Sequence, residues 1–194
     1  RLLLILLQGI PEPLYTISCS PALFFIPTVG LSGRGNMKNL TTPHRCPANQ
    51  IRYTTTDRRP IVITAPEQLD AKIVSNEYTE QGGIITFNRS LHRIGDNAFM
   101  GCSNLTNIIL GSRISTIGES SFYYCSNLAN VAFGRGVQSI GNSAFRGCSA
   151  LKTVILPKGI KSIGSYVFMR CPSLSAIVCG NRESLQSLAL ELPS

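Results

Sequence analysis

Residues 94–116 read IGDNAFMGCSNLTNIILGSRIST, and the next three segments of the chain align with them without a gap. They are IGESSFYYCSNLANVAFGRGVQS at 117–139, IGNSAFRGCSALKTVILPKGIKS at 140–162 and IGSYVFMRCPSLSAIVCGNRESL at 163–185. A period of 23 residues is typical of a solenoid, because each repeat is too small to bury its own apolar side and has to stack on its neighbours. The sequence therefore predicts a stack of four coils.

The first part of each repeat is predicted to be a turn followed by a short helical turn. The Ile-Gly pair closes one coil, and Gly95 with its equivalents is expected to turn the chain because glycine tolerates positive φ. The next polar residues, such as Asp96 and Asn97, are good caps for a helical turn. A Phe and a Cys three residues apart would share one face of that turn and point into the core. These residues are Phe99 and Cys102, Phe122 and Cys125, Phe145 and Cys148, and Phe168 and Cys171.

The second part of each repeat is predicted to be a β-strand. Its pattern is L-x-x-[IV]-x-[LFC], as in Leu105, Ile108 and Leu110, and alternate side chains of a strand enter the core. One strand per repeat would stack on the next to form a parallel sheet. A degenerate half-unit precedes the four repeats, so the array begins gradually near Gly83.

The complete repeat pattern is I-G-x-x-[AS]-F-x-x-C-x-x-L-x-x-[IV]-x-[LF]-[PG]-x-x-[IV]-x-x. It resembles the BspA-type leucine-rich repeat of bacterial surface proteins, which also occurs in some parasitic protists, and the resemblance covers residues 94 to about 180. It implies a leucine-rich-repeat solenoid with surface display and attachment to host matrix or to other bacteria. The preceding stretches, 49–57 and 71–87, are similar to the short β-rich lead-in of gut bacterial members. Arg52 stands where that lead-in would have an aromatic residue, and Arg58 stands where it would have glycine.

These patterns divide the chain into four regions. Residues 1–45 are unassigned: they are interpreted as a signal-peptide remnant, as disordered, or as non-native or upstream translated sequence. The apolar run at 2–7 is too short to span a bilayer. Residues 46–93 are the β-rich lead-in and N-terminal cap, and residues 94–185 are the four repeats. Residues 181–194 include RESLQSLALEL, which is predicted to be a short amphipathic helix that caps the open end.

No residue pattern in the sequence predicts catalysis, a cofactor or a metal site. The two histidines, His44 and His92, lie in no recognisable nucleophile or metal motif, so the chain is not expected to be an enzyme. The cysteines that recur with the repeat are best explained as free core thiols, because cysteine is small and often fully buried. A disulfide between neighbouring coils is the alternative that the spacing leaves open. Zinc is disfavoured because the sequence has no C-x-x-C pair.

The net charge of +8 points to an acidic partner. Nucleic acid is the usual first candidate for a basic protein, but the aromatic residues that would stack on bases are mostly the Phe of each repeat, which the solenoid buries. Nucleic-acid binding is therefore not expected. A protein or an acidic glycan is the favoured partner.

Two columns of side chains are predicted to face solvent and to form the partner-binding surface. Strand residues alternate between faces, so each strand sends two side chains outward, and the turn after each strand adds one cation. The outward residues are Asn107 and Ile109, Asn130 and Ala132, Thr153 and Ile155, and Ala176 and Val178; the cations are Arg113, Arg135, Lys158 and Arg182. An exposed apolar column can mark a partner surface. Ordinary β-branched strand sequence and solvated turn residues are the competing explanation.

The favoured function is a non-enzymatic protein-interaction or adhesion module, at the cell surface or secreted. Its partner would belong to the host matrix or to a bacterial surface. The alternative is a structural spacer, or a fragment of a longer repeat array, without a ligand of its own. Translation from Met37 would leave no export signal and would place the protein in the cytoplasm. No transmembrane segment is predicted.

Overall fold

The computed structural model of the chain describes residues 3–6 and 46–179. Residues 3–6 form a strand, and the remainder of the region 1–45 lies outside the described residues. The predicted C-terminal helix in 181–194 lies outside them as well, together with Arg182.

The described residues form short strands that are joined by turns, with one 3-10 helical turn at Pro66–Gln68. In chain order the strands are β1 (Leu3–Leu6), β2 (Gln50–Thr55), β3 (Ile73–Thr79), β4 (Gly82–Phe87), β5 (Arg93–Ile94), β6 (Leu105–Ile109), β7 (Thr116–Ile117), β8 (Asn130–Ala132), β9 (Ser139–Ile140), β10 (Thr153–Leu156), β11 (Ser162–Ile163) and β12 (Ala176–Cys179).

The lead-in and the first two repeats share one sheet, in the order β3-β4-β2-β6-β8. Strand β2 pairs antiparallel with β6, the strand of the first repeat, so the lead-in extends the sheet beyond the first coil. Arg58, in the turn that follows β2, adopts a φ of 54°, so this turn forms although arginine replaces the expected glycine.

The strands of the repeats stack in parallel in two pairs, but the single parallel sheet that the sequence predicts is interrupted between β8 and β10, which belong to different sheets. Strand β6 pairs with β8, and β10 pairs with β12, each with equivalent positions of the 23-residue repeat side by side. Strand β1 pairs in parallel with the other edge of β12. The described coils therefore form a β-solenoid.

A second parallel sheet, absent from the sequence-based prediction, runs through the Ile-Gly pairs. Its strands have two residues each and are arranged in the order β11-β9-β7-β5. Each of these strands contains the Ile of one pair. The side chains of Ile94, Ile117 and Ile140 are buried. Two ladders of strands therefore hold the coils together.

The expected helical turn in each repeat is wrong. In the first repeat the backbone N–H groups of Asn97, Phe99 and Gly101 donate to carbonyls of the next coil at 2.8–2.9 Å. The N–H groups between them, such as that of Met100, donate to the carbonyl three residues back. Because every second N–H bonds to the neighbouring coil, the ladder of an α-helix, in which each N–H bonds four residues back, cannot form. We call these parts of the repeats, 96–102 and their equivalents, the turn segments.

The polar residues expected as helix caps join neighbouring coils instead. The Asp96 carboxylate accepts a hydrogen bond from the N–H of Glu119 at 2.9 Å. The Asn142 amide oxygen accepts one from the N–H of Ser165, also at 2.9 Å. Each side chain thus satisfies a backbone donor in the following repeat, where a cap would have satisfied one in its own.

The glycine of each Ile-Gly pair is required by a lack of space and not by positive φ, which corrects the expected role. Gly95, Gly118, Gly141 and Gly164 are absent from the described glycines with positive φ. A Cβ atom at Gly141 would lie 2.6 Å from the backbone nitrogen of Glu119 in the preceding coil. Glycine is therefore the residue that lets the backbones of successive coils approach each other.

The Phe side chains form one continuous stack in the core, which confirms their inward orientation. Ring centroids are 5.2 Å apart between Phe99 and Phe122 and 5.1 Å apart between Phe122 and Phe145, with planes within 4° of parallel. Phe168 extends the stack at 5.9 Å from Phe145. These four rings are buried, and the first three are fully enclosed.

The repeat cysteines bond to the Phe of the preceding coil. The Cys125 thiol donates a hydrogen bond to the Phe99 carbonyl at 3.1 Å, and Cys148 does the same to Phe122 at 3.2 Å. Cys171 makes the equivalent bond but is only partly buried, so the expectation of four buried thiols is wrong at this position. The repeat cysteines Cys102, Cys125, Cys148 and Cys171 are all free thiols, as expected.

We expect Cys125 and Cys148 to resist alkylation in the folded protein. Burial raises the pKa of both thiols, and the thiolate is the reactive species. Burial raises the pKa of the more accessible Cys171 to about 11, which lowers its thiolate fraction at pH 8 roughly 100-fold. Iodoacetamide labelling followed by peptide mass spectrometry should therefore find Cys171 slow, and Cys125 and Cys148 slower still. Equal rates for all three in native protein and in denaturant would contradict the burial of the ladder.

Candidate functional site

The candidate partner-binding surface consists of the outward strand residues and the cations of the following turns, and we call it the strand face. In β6, Asn107 and Ile109 are partly exposed, and Ile108 between them is buried. The same alternation recurs in β8, β10 and β12. The structure thus orients the predicted residues outward and aligns Asn107 with Asn130, Ile109 with Ala132, Thr153 with Ala176, and Ile155 with Val178.

The polar column of the strand face is an ordered chain of hydrogen bonds. The Asn130 amide donates to the Asn107 side-chain oxygen at 2.6 Å, and the Asn107 amide donates to the Thr54 hydroxyl at 2.6 Å. Thr54 in turn contacts the Thr106 hydroxyl at 2.7 Å. The two asparagines are therefore fixed by one another and by the lead-in, which holds them in a single orientation.

In the lead-in, the strand beside the apolar column contains an outward residue, Arg52, that the sequence-based prediction did not include. Arg52 in β2 lies beside Ile109 of β6 on one side and Ile84 of β4 on the other. Its Nε atom is buried and has no hydrogen-bond partner among the described residues. The alternating burial of β2 orients Arg52 outward, and the same alternation in the sequence QIRYTT was the signal that could have identified it.

The cationic row beside the strands contains Arg113, Arg135 and Lys158, all of them exposed. The fourth predicted member, Arg182, lies outside the described residues. The described part of the array, residues 94–179, contains seven Lys and Arg side chains and two acidic ones. Because most charges on this part of the chain are positive, a partner with negative charge would be attracted to it.

A second group of surface side chains, in the turn segments, was not predicted. Arg170 donates a hydrogen bond from Nη1 to the Tyr124 hydroxyl at 2.8 Å, although the two residues are two repeats apart. The Arg146 guanidinium lies 5.9 Å from the ring centroid of Tyr123. We call Tyr123, Tyr124, Arg146 and Arg170 the tyrosine–arginine cluster.

A further group of polar contacts lies within the lead-in, next to the first repeat. The Asp70 carboxylate accepts hydrogen bonds from the backbone N–H groups of His92 and Arg93, at 3.1 and 3.2 Å, and lies 3.6 Å from the His92 ring nitrogen. Within residues 46–179, no group of three or more His, Cys, Asp or Glu side chains is placed to hold a metal. The described residues contain no helix with the length and hydropathy needed to cross a membrane.

A family model described as the BspA type leucine rich repeat region matches residues 76–191 in six copies. The match begins within β3 of the lead-in, before the four segments that align without a gap, and it extends past residue 185. The repeat pattern therefore covers more of the chain than those four segments.

Several solved structures of bacterial leucine-rich repeat proteins are similar to the chain. The pneumococcal vaccine antigen PcpA is 27% identical, with a TM-score of 0.45, over 46% of this chain and 22% of that one. A leucine-rich repeat protein from Bacteroides capillosus is 23% identical, with a TM-score of 0.45, over 57% of this chain and 76% of that one. A leucine rich cell surface protein from Faecalibacterium prausnitzii is 19% identical, with a TM-score of 0.47, over 66% and 44%. The chain thus spans about a fifth of the pneumococcal antigen.

None of the curated protein sequences compared with this chain matches.

Proposed function

Because the chain belongs to the BspA-type leucine-rich repeat family, we propose that it is a non-enzymatic binding module that holds an acidic partner on its strand face. The partner is a protein or an acidic glycan of the host matrix or of a bacterial surface, and the role of the module is adhesion. Repeats of this family are typical of surface or secreted proteins, and we place the module there. A solenoid suits this role because it offers an extended surface to a partner.

The observation that carries the proposal is the side-by-side arrangement of an apolar column and exposed cations on one series of strands and turns. Ile109, Ile155 and Val178 are partly exposed on the strands, and Arg113 and Arg135 are exposed in the turns that follow. Apolar contact would supply desolvation, while the cations would accelerate encounter and set the orientation of the partner. Removal of the cations should therefore weaken association and its dependence on salt together.

The affinity of one module should be modest. A standard stable interface buries roughly 800 Å² on each partner, and four coils present a surface near or below that size. Tight attachment would then depend on longer arrays or on many copies displayed together, because linked sites bind with an increased effective concentration.

The test begins with a pull-down against extracellular-matrix and bacterial surface proteins, followed by charge reversal of the cationic row. The variant changes Arg113, Arg135 and Lys158 to Glu, and circular dichroism checks that it folds. We expect it to lose most of its affinity for the captured partner, and we expect the association rate of the wild-type protein to fall as salt is raised.

A matched control variant changes three other exposed lysines, Lys72, Lys152 and Lys161, to Glu. It alters the net charge by the same amount but changes none of the residues that define the strand face, so it should retain most of the affinity. Equal losses in both variants would show that only net charge matters. Unchanged binding in the strand-face variant would leave the cations as solvated turn residues and would favour a structural spacer.

A further inference from the structure

The turn segments contain two positions in every repeat at which the backbone is left-handed. At the first, no repeat has glycine, and the residues are Asn97, Ser120, Ser143 and Tyr166. At the second, glycine is used only in alternate repeats. Gly101 and Gly147 have φ values of 72° and 77°, and Tyr124 and Arg170 occupy the equivalent positions with φ values of 54° and 59°. Glycine adopts this conformation without steric penalty, whereas a bulky side chain is strained in it. Strained residues of this kind concentrate at functional sites. At the second position, glycine would carry no steric penalty in any of the four repeats.

Two of the strained residues, Tyr124 and Arg170, are brought together by the glycine between them. A Cβ atom at Gly147 would lie 3.1 Å from the ring of Tyr124, so the ring lies directly over this glycine. Arg170, one repeat further along, reaches back across the third coil to the Tyr124 hydroxyl. The sequence of Gly, Tyr, Gly and Arg through four repeats therefore builds one continuous surface feature.

The surroundings of this feature have the composition of a protein-binding surface. The Tyr123 ring packs edge-on against Tyr124 at 4.6 Å, and Met100 and Met169 occupy the positions equivalent to Tyr123 in the first and fourth repeats. Of the six large apolar side chains that are exposed among the described residues, four lie in the turn segments: Met100, Tyr124, Tyr166 and Met169. Tyr, Met and Arg are the residues enriched in the centres of protein interfaces, and Tyr and Arg recur among their hot spots.

The two arginines of the cluster give the surface a positive charge that no carboxylate of the described residues neutralises by direct contact. The ion pairs found within residues 46–179 join His92 to Asp70 and Arg93 to Asp96, so neither includes Arg146 or Arg170. The Nε atom of Arg146 is buried and lacks a hydrogen-bond partner within these residues. Carboxylates match the planar donor groups of arginine in geometry and charge.

We propose that the tyrosine–arginine cluster is a second binding surface, distinct from the strand face, that takes an acidic segment of a partner protein. Carboxylates of that segment bind Arg146 and Arg170, and an adjacent aromatic or aliphatic side chain packs on Tyr124 and the flanking methionines. A nucleic acid or a polyanionic glycan would instead be held by a long row of cations along its backbone. This cluster has two cations bordered by apolar side chains.

The test measures binding of the full chain to a fluorescein-labelled copolymer of Glu and Tyr by fluorescence anisotropy. Poly-Glu, heparin and single-stranded DNA serve as comparison probes. We expect the copolymer to bind about tenfold or more tightly than poly-Glu, because the aromatic side chains add contacts that carboxylates alone do not make. Absence of copolymer binding, or equally tight binding of heparin or DNA, would overturn the proposal.

Two variants and one control locate the binding. Tyr124→Gly and Arg170→Gln should each weaken copolymer binding severalfold, whereas Lys72→Gln, which removes the same single charge as Arg170→Gln at an exposed position of the lead-in, should not. The melting temperature of Tyr124→Gly should be unchanged or higher, because glycine suits the left-handed backbone. A lower melting temperature with unchanged binding would assign Tyr124 a purely structural role and refute the proposal.

The strand-face variant distinguishes this inference from the proposed function. If charge reversal of Arg113, Arg135 and Lys158 abolishes copolymer binding while Tyr124→Gly leaves it intact, the strand face is the acidic-partner site and the second surface does not exist. If both sets of variants weaken binding independently, the module has two surfaces.

Discussion

Replacing Phe122 by alanine should lower the free energy of unfolding by roughly 3–5 kcal/mol, the range for removal of a fully packed aromatic ring. The ring is fully buried, and its centroid lies 5.2 Å from that of Phe99 and 5.1 Å from that of Phe145. Backbone hydrogen bonds join the coils on both sides of the ring, so the cavity cannot close by collapse of one coil onto another. Urea unfolding followed by circular dichroism would measure the loss.

Two further substitutions serve as comparisons for the alanine variant. Phe122→Leu keeps most of the volume and should be less harmful than the alanine variant. Val62→Ala truncates a side chain that is 82% exposed, and it should change stability by no more than about 0.5 kcal/mol. If Phe122→Ala unfolds at the same urea concentration as the wild type, the ring does not lie in the stack and the repeat register is wrong.

Substituting alanine for Gly141 should destabilise the protein by roughly 3 kcal/mol, at the upper end of the usual range for overpacking. The new Cβ would lie 2.6 Å from the Glu119 nitrogen, 2.8 Å from the Gly118 carbonyl carbon and 3.0 Å from the Glu119 Cα. All three neighbours are backbone atoms, which cannot rotate away as a side chain can. Two coils would have to separate locally, and the hydrogen bonds between them would lengthen.

Gly159→Ala is the matched control because it makes the same chemical change in the same repeat. A Cβ at Gly159 would have its nearest neighbour at 3.8 Å, an ordinary contact distance. This variant should be neutral or slightly stabilising, because alanine restricts the unfolded chain more than glycine does. Similar melting temperatures for the two alanine variants would contradict the close approach of the coils at Gly141.

The sequence was sufficient to predict the solenoid and the direction of its side chains. The 23-residue period aligned the coils, and alternation within each strand separated buried residues such as Ile108 from outward ones such as Ile109. Both signals come from apolar burial, which repeats with the geometry of the chain. The Phe stack followed from the same logic.

The local backbone of the turn segments could not be predicted in this way. A spacing of three residues between Phe99 and Cys102 places both on one side of a helical turn, but it does the same in the consecutive turns that the structure contains. The partner of each N–H depends on the neighbouring coil, which a local pattern does not describe. For the same reason the glycine of the Ile-Gly pair was assigned to positive φ when its function is to leave space for the next backbone.

The two candidate surfaces differed in how much of them the sequence could reveal. The strand face was predicted because its residues occupy regular outward positions, although Arg52 was missed since it precedes the repeats. The tyrosine–arginine cluster was missed entirely, because its members occupy positions that vary from one repeat to the next. The alternation of Gly101 and Gly147 with Tyr124 and Arg170 was the available signal, and it gains meaning only once the left-handed backbone is known.

The alternating partners of the backbone N–H groups have a consequence for deuterium exchange. In the first turn segment the amides of Phe99 and Gly101 can exchange only when the first coil parts from the second, whereas the amide of Met100 needs only a local unwinding of its own turn. Adjacent residues of one loop would then report two different opening reactions. The exchange rates of the slow amides would measure how stably the two coils are held together. A ligand that bridges two coils would slow the exchange of these amides and leave the exchange of the neighbouring amides unchanged.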